Sequence, residues 1–496
     1  MLRREGSRLS ILGRLAPLAA LGLIGCDGPG GVGGPPSRTG AIAPIDPQAP
    51  VAARVSPDRP GAAPRKGDEP VTSTTPSRAV DPNQLVDVVK AEVKGGEESA
   101  GPTPRPYLWQ PSEGAVAADE PMVVEVPLGL KALTPVAVVP GFNPVTKAKF
   151  ELGKQLYFDP RVSKDGTVSC ATCHNPEKGW TDGVTTSIGI AGQVGSRNAP
   201  TVLNTAYGRT MFWDGRAPSL EAQAQGPIQN KIEMGDQSYE EIIARLRTIP
   251  GYQDQFKKVF GTEVTLDGMA KAVATFERAA ALSGNSPYDQ YIGGPGIDPV
   301  TTALSESAKR GMVLFGLELN EDDEFRPQGV VRKKANCTSC HAGFNFTDEK
   351  FHNLGVGWDE SAARFADLGR WAVAPIGAKD PADIGSFKTP TIRDITRTAP
   401  YMHDGSESSL EAVVEYYNRG GNKNPHLDVD MKPLNLTDQE KADVVAFMKS
   451  LTGTPIQVAL PALPPGADGK SPDPAEALQP PSPKAALADP HTAIVR

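Results

Sequence analysis

Apolar residues recur at three- and four-residue spacing through the middle of the chain, and that period predicts helices. Leu266, Met269, Val273, Phe276 and Ala280 share one helical face. Thr437 and Glu440 form a capping box ahead of Val444, Val445, Phe447, Met448 and Leu451. Shorter amphipathic stretches cover 148–158, 239–246, 305–315 and 410–417. No run alternates with period two for long enough to predict a strand, and the intervening stretches are long and rich in Gly and Pro. The expected body is mainly α, with long loops.

The periodic pattern stops at both ends. Residues 27–140 are dense in Pro, Gly, Ala and Ser, a composition that buries too little apolar surface to offset chain entropy, so a mostly disordered linker is expected, with 121–136 ordered against the body. Residues 455–496 read as a second disordered tail. The body between them is long enough for two domains, expected at 141–300 and 301–454. Residues 1–26 carry Arg3, Arg4 and Arg8, then an apolar stretch too short for a membrane span, ending in Leu23-Ile24-Gly25-Cys26. This reads as a lipoprotein-type signal with a lipid on Cys26, making the protein periplasmic and membrane-anchored. An ordinary secretory signal with a free thiol is the alternative.

A net charge of −8 without long single-sign runs argues against nucleic-acid binding. Of five cysteines, four lie in two pentapeptides, Cys170-Ala171-Thr172-Cys173-His174 and Cys337-Thr338-Ser339-Cys340-His341. In C-x-x-C-H both thiols can add to haem vinyl groups while the histidine reaches the iron. Zinc would also explain paired cysteines, but it requires the following histidine to fall at the same offset twice by chance, in a chain of six histidines. Two covalently bound c-type haems are the expected cofactors. Internal repetition is read as confined to these two motifs.

Residues 151–183 (ELGKQLYFDPRVSKDGTVSCATCHNPEKGWTDG), 197–201 (RNAPT), 212–216 (FWDGR) and 398–405 (TAPYMHDG) together resemble the bacterial di-haem cytochrome c peroxidase family, which includes MauG and its relatives. The resemblance spans nearly the whole body. It implies two cytochrome c-like haem domains, the first peroxidatic and the second relaying electrons. It assigns His174 to the reactive iron and His341 to the electron-transfer iron. Glu233 falls where the family carries its distal acid, and Gln223 and Pro227 match that pocket's partners. A buried carboxyl suits the task, because burial raises its pKa toward working pH. Trp213 falls at the indole between the haems. The family's calcium implies Asn198 by side chain and Thr398 and Pro400 by carbonyl, an oxygen-rich set suited to a hard cation.

Two departures bear on function. No histidine lies between His174 and His341, so the 181–195 loop offers none to block the peroxidatic iron, which is expected to be open without prior reduction. Where conventional members place a methionine ligand on the second haem, this chain has Tyr417, with Tyr416 and Met402 as competitors. Phenolate ligation stabilises ferric iron and lowers its potential. Hydrogen peroxide is thus the expected oxidant. The remaining partner is a small redox protein, cytochrome c or cupredoxin, for a peroxidase, or a substrate protein whose Trp or Tyr is oxidised, for a MauG- or MbnH-like enzyme. A non-catalytic electron carrier is the reading from another class.

Overall fold

A computed structural model describes residues 120–131, 139–454 and 457–483. The signal-like segment, Cys26 and most of the 27–140 linker lie outside the described residues.

In the first half, α1 (Lys147–Phe158), α2 (Tyr239–Arg247), α3 (Pro250–Phe260) and α4 (Leu266–Ala280) carry the periodic segments. Their ends follow local chemistry. Ser238 and Glu241 close a capping box on α2, Pro250 opens α3 where an amide hydrogen is not needed, and Gly261 ends it in the left-handed region. The second half has α5 (Pro287–Ile292), α6 (Glu306–Phe315), α7 (Leu410–Asn418) and α8 (Asp438–Lys449), the last opened by the expected Thr437–Glu440 box.

Each half is organised by one close helix crossing. A Cβ on Gly153 of α1 would sit 1.9 Å from the Ala272 carbonyl oxygen of α4, and one on Gly311 of α6 would sit 1.8 Å from that of Asp443 in α8. Phe276 and Phe447 pack under these two glycines. Around each crossing stands an aromatic trio: Tyr157, Trp180 and Phe276 at 5.0–5.9 Å, and Phe315, Phe346 and Phe447 at 5.1–6.4 Å. The buried apolar residues divide accordingly, one cluster around α1 and α4 and two around α6 and α8. Helix α5 precedes residue 301 but contributes Tyr291 to a second-half cluster, and its Asp289 forms a fully buried ion pair with Arg393 at 2.9 Å.

Internal repetition exceeds the two pentapeptides, correcting the sequence reading. Residues 199–227 and 389–417 match without a gap at an offset of 190, sharing Pro200/Pro390, Thr201/Thr391, Asp214/Asp404, Gly215/Gly405 and Ser219-Leu220-Glu221-Ala222/Ser409-Leu410-Glu411-Ala412. The backbones agree: Asn204 and Asp394, Phe212 and Met402, Gly215 and Gly405 all have φ between 53° and 72°. Each glycine turn presses on the opposite half, where a Cβ on Gly215 would meet the Phe351 ring at 2.3 Å and one on Gly405 the Thr185 carbonyl at 2.2 Å.

Strand content is confined to two-residue pairs, β1 (Phe351–His352) with β4 (Phe387–Lys388) and β2 (Trp358–Asp359) with β3 (Arg364–Phe365), both antiparallel. Two residues are too few to show alternation. The expectation of a structureless tail is corrected for 457–483. Leu478 joins the first-half core, the Ala477 carbonyl accepts from Thr172 Oγ1 within the first pentapeptide, and Arg161 Nη2 donates to the Pro464 carbonyl at 2.9 Å. Single apolar residues spaced among prolines carry no period, which is why the segment reads as linker. Residues 120–131 are ordered too, with Met122 N donating to the Val145 carbonyl at 3.1 Å. No helix among the described residues is long and apolar enough to cross a membrane.

Candidate functional site

Both pentapeptides open onto one cavity of about 1110 Å³, beyond the roughly 300–1,000 Å³ of a single small-molecule site. Cys173, His174, Cys337, Cys340 and His341 line it, together with Trp213, Gln223, Pro227, Glu233, Asn198, Thr398, Pro400 and Tyr417. Cys170 lines an adjoining chamber of about 60 Å³ with His174, Gln223, Pro227 and Glu233. The fold thus brings the haem, distal-pocket and calcium candidates to the walls of these two cavities, which share Cys173, His174, Gln223, Pro227 and Glu233.

The residues around that space fit two haems. His174 Nδ1 lies 3.3 Å from the Trp180 carbonyl and His341 Nδ1 3.0 Å from the Phe346 carbonyl, at matching places in the two aromatic trios. A ring held through Nδ1–H keeps Nε2 as its donor atom. Burial lowers both pKa values, favouring the neutral imidazole that metals bind. All four thiols are unpaired. Burial pushes Cys173 and Cys337 up to about 12, with neighbouring acids and thiols adding to it. Zinc needs thiolates, and no cluster of three or more His, Cys, Asp or Glu among the described residues is placed to hold a metal ion.

In the first half, the one-turn helices Leu220–Gln223 and Gly226–Gln229 place Gln223 and Pro227 beside the Glu233 turn. Asn230 Nδ2 donates to Glu233 Oε1 at 2.7 Å, while Asn230 Oδ1 accepts from the backbone amides of Ile232 and Glu233. Burial raises the Glu233 pKa, and the guanidinium groups of Arg216 and Arg197 pull partly against it.

Trp213 sits where the halves meet. Its Nε1–H donates to the Asn198 carbonyl at 2.9 Å, and the Asn198 amide donates to the His403 carbonyl at 2.8 Å. The second half grips this turn: Lys388 N donates to the Trp213 carbonyl at 2.7 Å, and Arg370 Nη1 reaches the Asp214 and Gly215 carbonyls at 3.2 Å. Arg197 joins Asp214 of its own half to Asp367 of the other, each at 2.6 Å. Asn198 Nδ2 is engaged by the Val184 carbonyl at 2.8 Å.

In the second half, helix α7 carries Tyr417 into the cavity wall. Burial raises its phenol far above the usual value, with the Cys340 and Cys337 sulfurs next in effect. Its competitor Tyr416 turns its hydroxyl to the Leu354 carbonyl at 2.8 Å. His403 stacks on Phe387 with ring centroids 3.5 Å apart. His352 lines the cavity between Asp428 at 2.6 Å and Asp348 at 3.0 Å. A hydrogen bond with the Cys340 sulfur and those carboxylates outweigh burial and push it up to about 10.

Sequence reading also missed Asn230, Arg197 and Glu277. Glu277 left a signal as a charge four residues after Val273 on the apolar face of α4, and Arg197 opens the quoted 197–201 motif without having been given a role. Burial pushes this carboxyl up to about 8, opposed by Arg278 and aided by Glu221.

A family model described as di-haem cytochrome c peroxidase matches residues 147–296. Methylamine utilization protein MauG of Methylorubrum extorquens is 41% identical over 327 residues, spanning 66% of this chain and 84% of that protein. Cytochrome c551 peroxidase of Nitrosomonas europaea is 36% identical, spanning 71% and 90%. The crystal structure of a MauG-like protein associated with microbial copper homeostasis is 31% identical with a TM-score of 0.56, spanning 65% of this chain and 94% of that one. The similarity to full-length relatives, two C-x-x-C-H motifs and one cavity joining them carry the same conclusion: the chain belongs to the di-haem cytochrome c peroxidase family, whose members are peroxide-dependent oxidoreductases with two c-type haems.

Proposed function

We propose that the chain uses hydrogen peroxide at its first haem site to oxidise an aromatic side chain of a partner protein, in the manner of the MauG branch. Haem would supply at each site an iron that changes oxidation state. Cys170 and Cys173 hold the first haem and Cys337 and Cys340 the second, with His174 and His341 as proximal ligands. Glu233 takes a proton from one peroxide oxygen and returns it to the other, so that water leaves. Asn230 orients that carboxyl, and Gln223 and Pro227 narrow the space before it. Trp213 would lie between the two haems, and Tyr417 would help hold the second haem through its phenol oxygen.

One observation carries the choice of branch: Tyr417 stands in the cavity wall beside Cys337 and Cys340, where a conventional peroxidase has methionine. The histidine inventory agrees. Apart from His174 and His341, the cavity-lining histidines are His352 and His403, one held by two carboxylates and the other stacked on a ring. Asn198 Oδ1 with the Thr398 and Pro400 carbonyls forms the calcium set, supported by the amide–carbonyl bond joining Asn198 to the 398–403 loop. C-type haem attachment outside the cytoplasmic membrane supports a periplasmic protein, anchored by the Cys26 lipid.

The test is to mix fully oxidised protein with stoichiometric peroxide and follow its absorption spectrum. A long-lived oxidised species formed without prior reduction is expected. Inertness until one electron is added returns the chain to the conventional peroxidases that draw electrons from a small redox protein. Two saturated irons, unreactive in either state, make it an electron carrier.

A further inference from the structure

The two halves are built alike, so a difference at matched positions is informative. Glu277 and Met448 each follow the phenylalanine under its half's crossing glycine, Phe276 or Phe447. Met448 is an ordinary apolar wall residue of the shared cavity. Glu277 is a carboxyl that is 5% exposed, and its Oε2 makes no hydrogen bond. Leaving a buried acceptor without a partner costs about 1–3 kcal/mol, so a purely structural carboxyl here is poorly accounted for.

The neighbours of Glu277 do not hold it as an anion. Arg278, next on α4, gives its guanidinium to Glu221 of the Leu220–Gln223 helix at 3.0 Å. From α1 the Tyr157 phenol donates to the His174 carbonyl at 2.9 Å. The remaining titratable groups facing this space are the Cys170 and Cys173 thiols, His174 and Glu233. Glu277 shares with Glu233, Gln223 and Pro227 a chamber that is closed on its other side by Cys170, Cys173 and His174, so its carboxyl lies at the edge of the first haem site.

We propose that Glu277 is a second acid of the first site, presenting its carboxyl O–H as hydrogen-bond donor to a small oxygen ligand bound beside Glu233. The inference rests on the open first site proposed above. It divides the work between two carboxyls: Glu233, oriented by Asn230, exchanges the proton, and Glu277 keeps its own. The upward displacement to about 8 agrees, since such a group is neutral at pH 7. Two carboxyls whose surroundings separate their protonation are a recurrent way to run acid and base steps in one pocket.

Fluoride, a small anion stabilised by hydrogen-bond donors, tests this on the ferric holoprotein at pH 7 in the parent, Glu277→Gln and Glu277→Met, the last copying the second half. Glu277→Gln keeps a donor and should bind fluoride within about threefold of the parent, whereas Glu277→Met should weaken it about tenfold or more. In parallel, the infrared carbonyl band of a protonated carboxylic acid should be present in the parent and reduced in Glu277→Gln. Unchanged fluoride affinity in Glu277→Met, or no such band lost in Glu277→Gln, overturns the proposal while the open first site stands. Should Glu277→Met fail to fold, the infrared comparison decides alone. A parent that binds no fluoride overturns the open site and this proposal together.

Discussion

Glu233 and Glu277 have the same side chain, and their surroundings separate them. Glu233 receives one hydrogen bond from Asn230 and feels Arg216 and Arg197, whereas Glu277 is fully buried, with Arg278 pulling its pKa down and Glu221 pushing it up. Burial raises the Glu233 pKa above 4.5, so a carboxylate able to accept a peroxide proton, the role proposed for it, is populated only above the usual carboxyl range. The rate of reaction with peroxide should therefore rise with pH through a midpoint above 4.5. Glu233→Gln should slow it about 10²–10⁴-fold and flatten that profile, as stopped-flow absorbance across pH will show. The family motifs put Glu233 and Tyr417 in register, and both line the cavity. Asn230 was not legible, since nothing local says that an amide three residues away will turn toward the Glu233 carboxyl, and the 197–201 motif does not say that Arg197 will bridge Asp214 and Asp367.

At the level of elements, the long helices and the Thr437–Glu440 box were readable because amphipathic period and capping are local chemistry. The crossings they make were not. Gly153 and Gly311 look like weak points in helices, but each lets a backbone pass where a methyl group would lie within 2 Å of a carbonyl oxygen. Gly311→Ala should part α6 from α8 and destabilise the second half by about 1–3 kcal/mol, measurable by chemical denaturation followed through the second haem's absorption. Haem reactivity at the first half should be affected far less. The 190-residue repeat escaped notice because only its turn and cap residues are shared in sequence, the positions where backbone geometry restricts the choice. The wall residues between them have diverged, Trp213 against His403 and Pro227 against Tyr417.

Across the whole molecule, the two halves interlock through reciprocal contacts. Each glycine turn enters the opposite half, and Arg197 ties Asp214 to Asp367 across the joint. Residues 457–483 then return from the end of the second half to the first, setting Leu478 into its core above the first pentapeptide. Leu478→Ala should cost about 2–3 kcal/mol, the low end for a buried leucine because this one sits at the core's edge. Thermal melts should show the loss, and limited proteolysis should cut 457–483 sooner than in the parent. By itself the sequence determined the helical class, the two haem motifs and the family, because helix period, capping and thiol–imidazole spacing act within a few residues. Only the tertiary structure decided that one cavity joins both motifs, that Glu277 lies unpaired in its wall, and that a proline-rich tail is part of the fold. Those outcomes depend on burial and contact between segments more than a hundred residues apart, and no local pattern carries them.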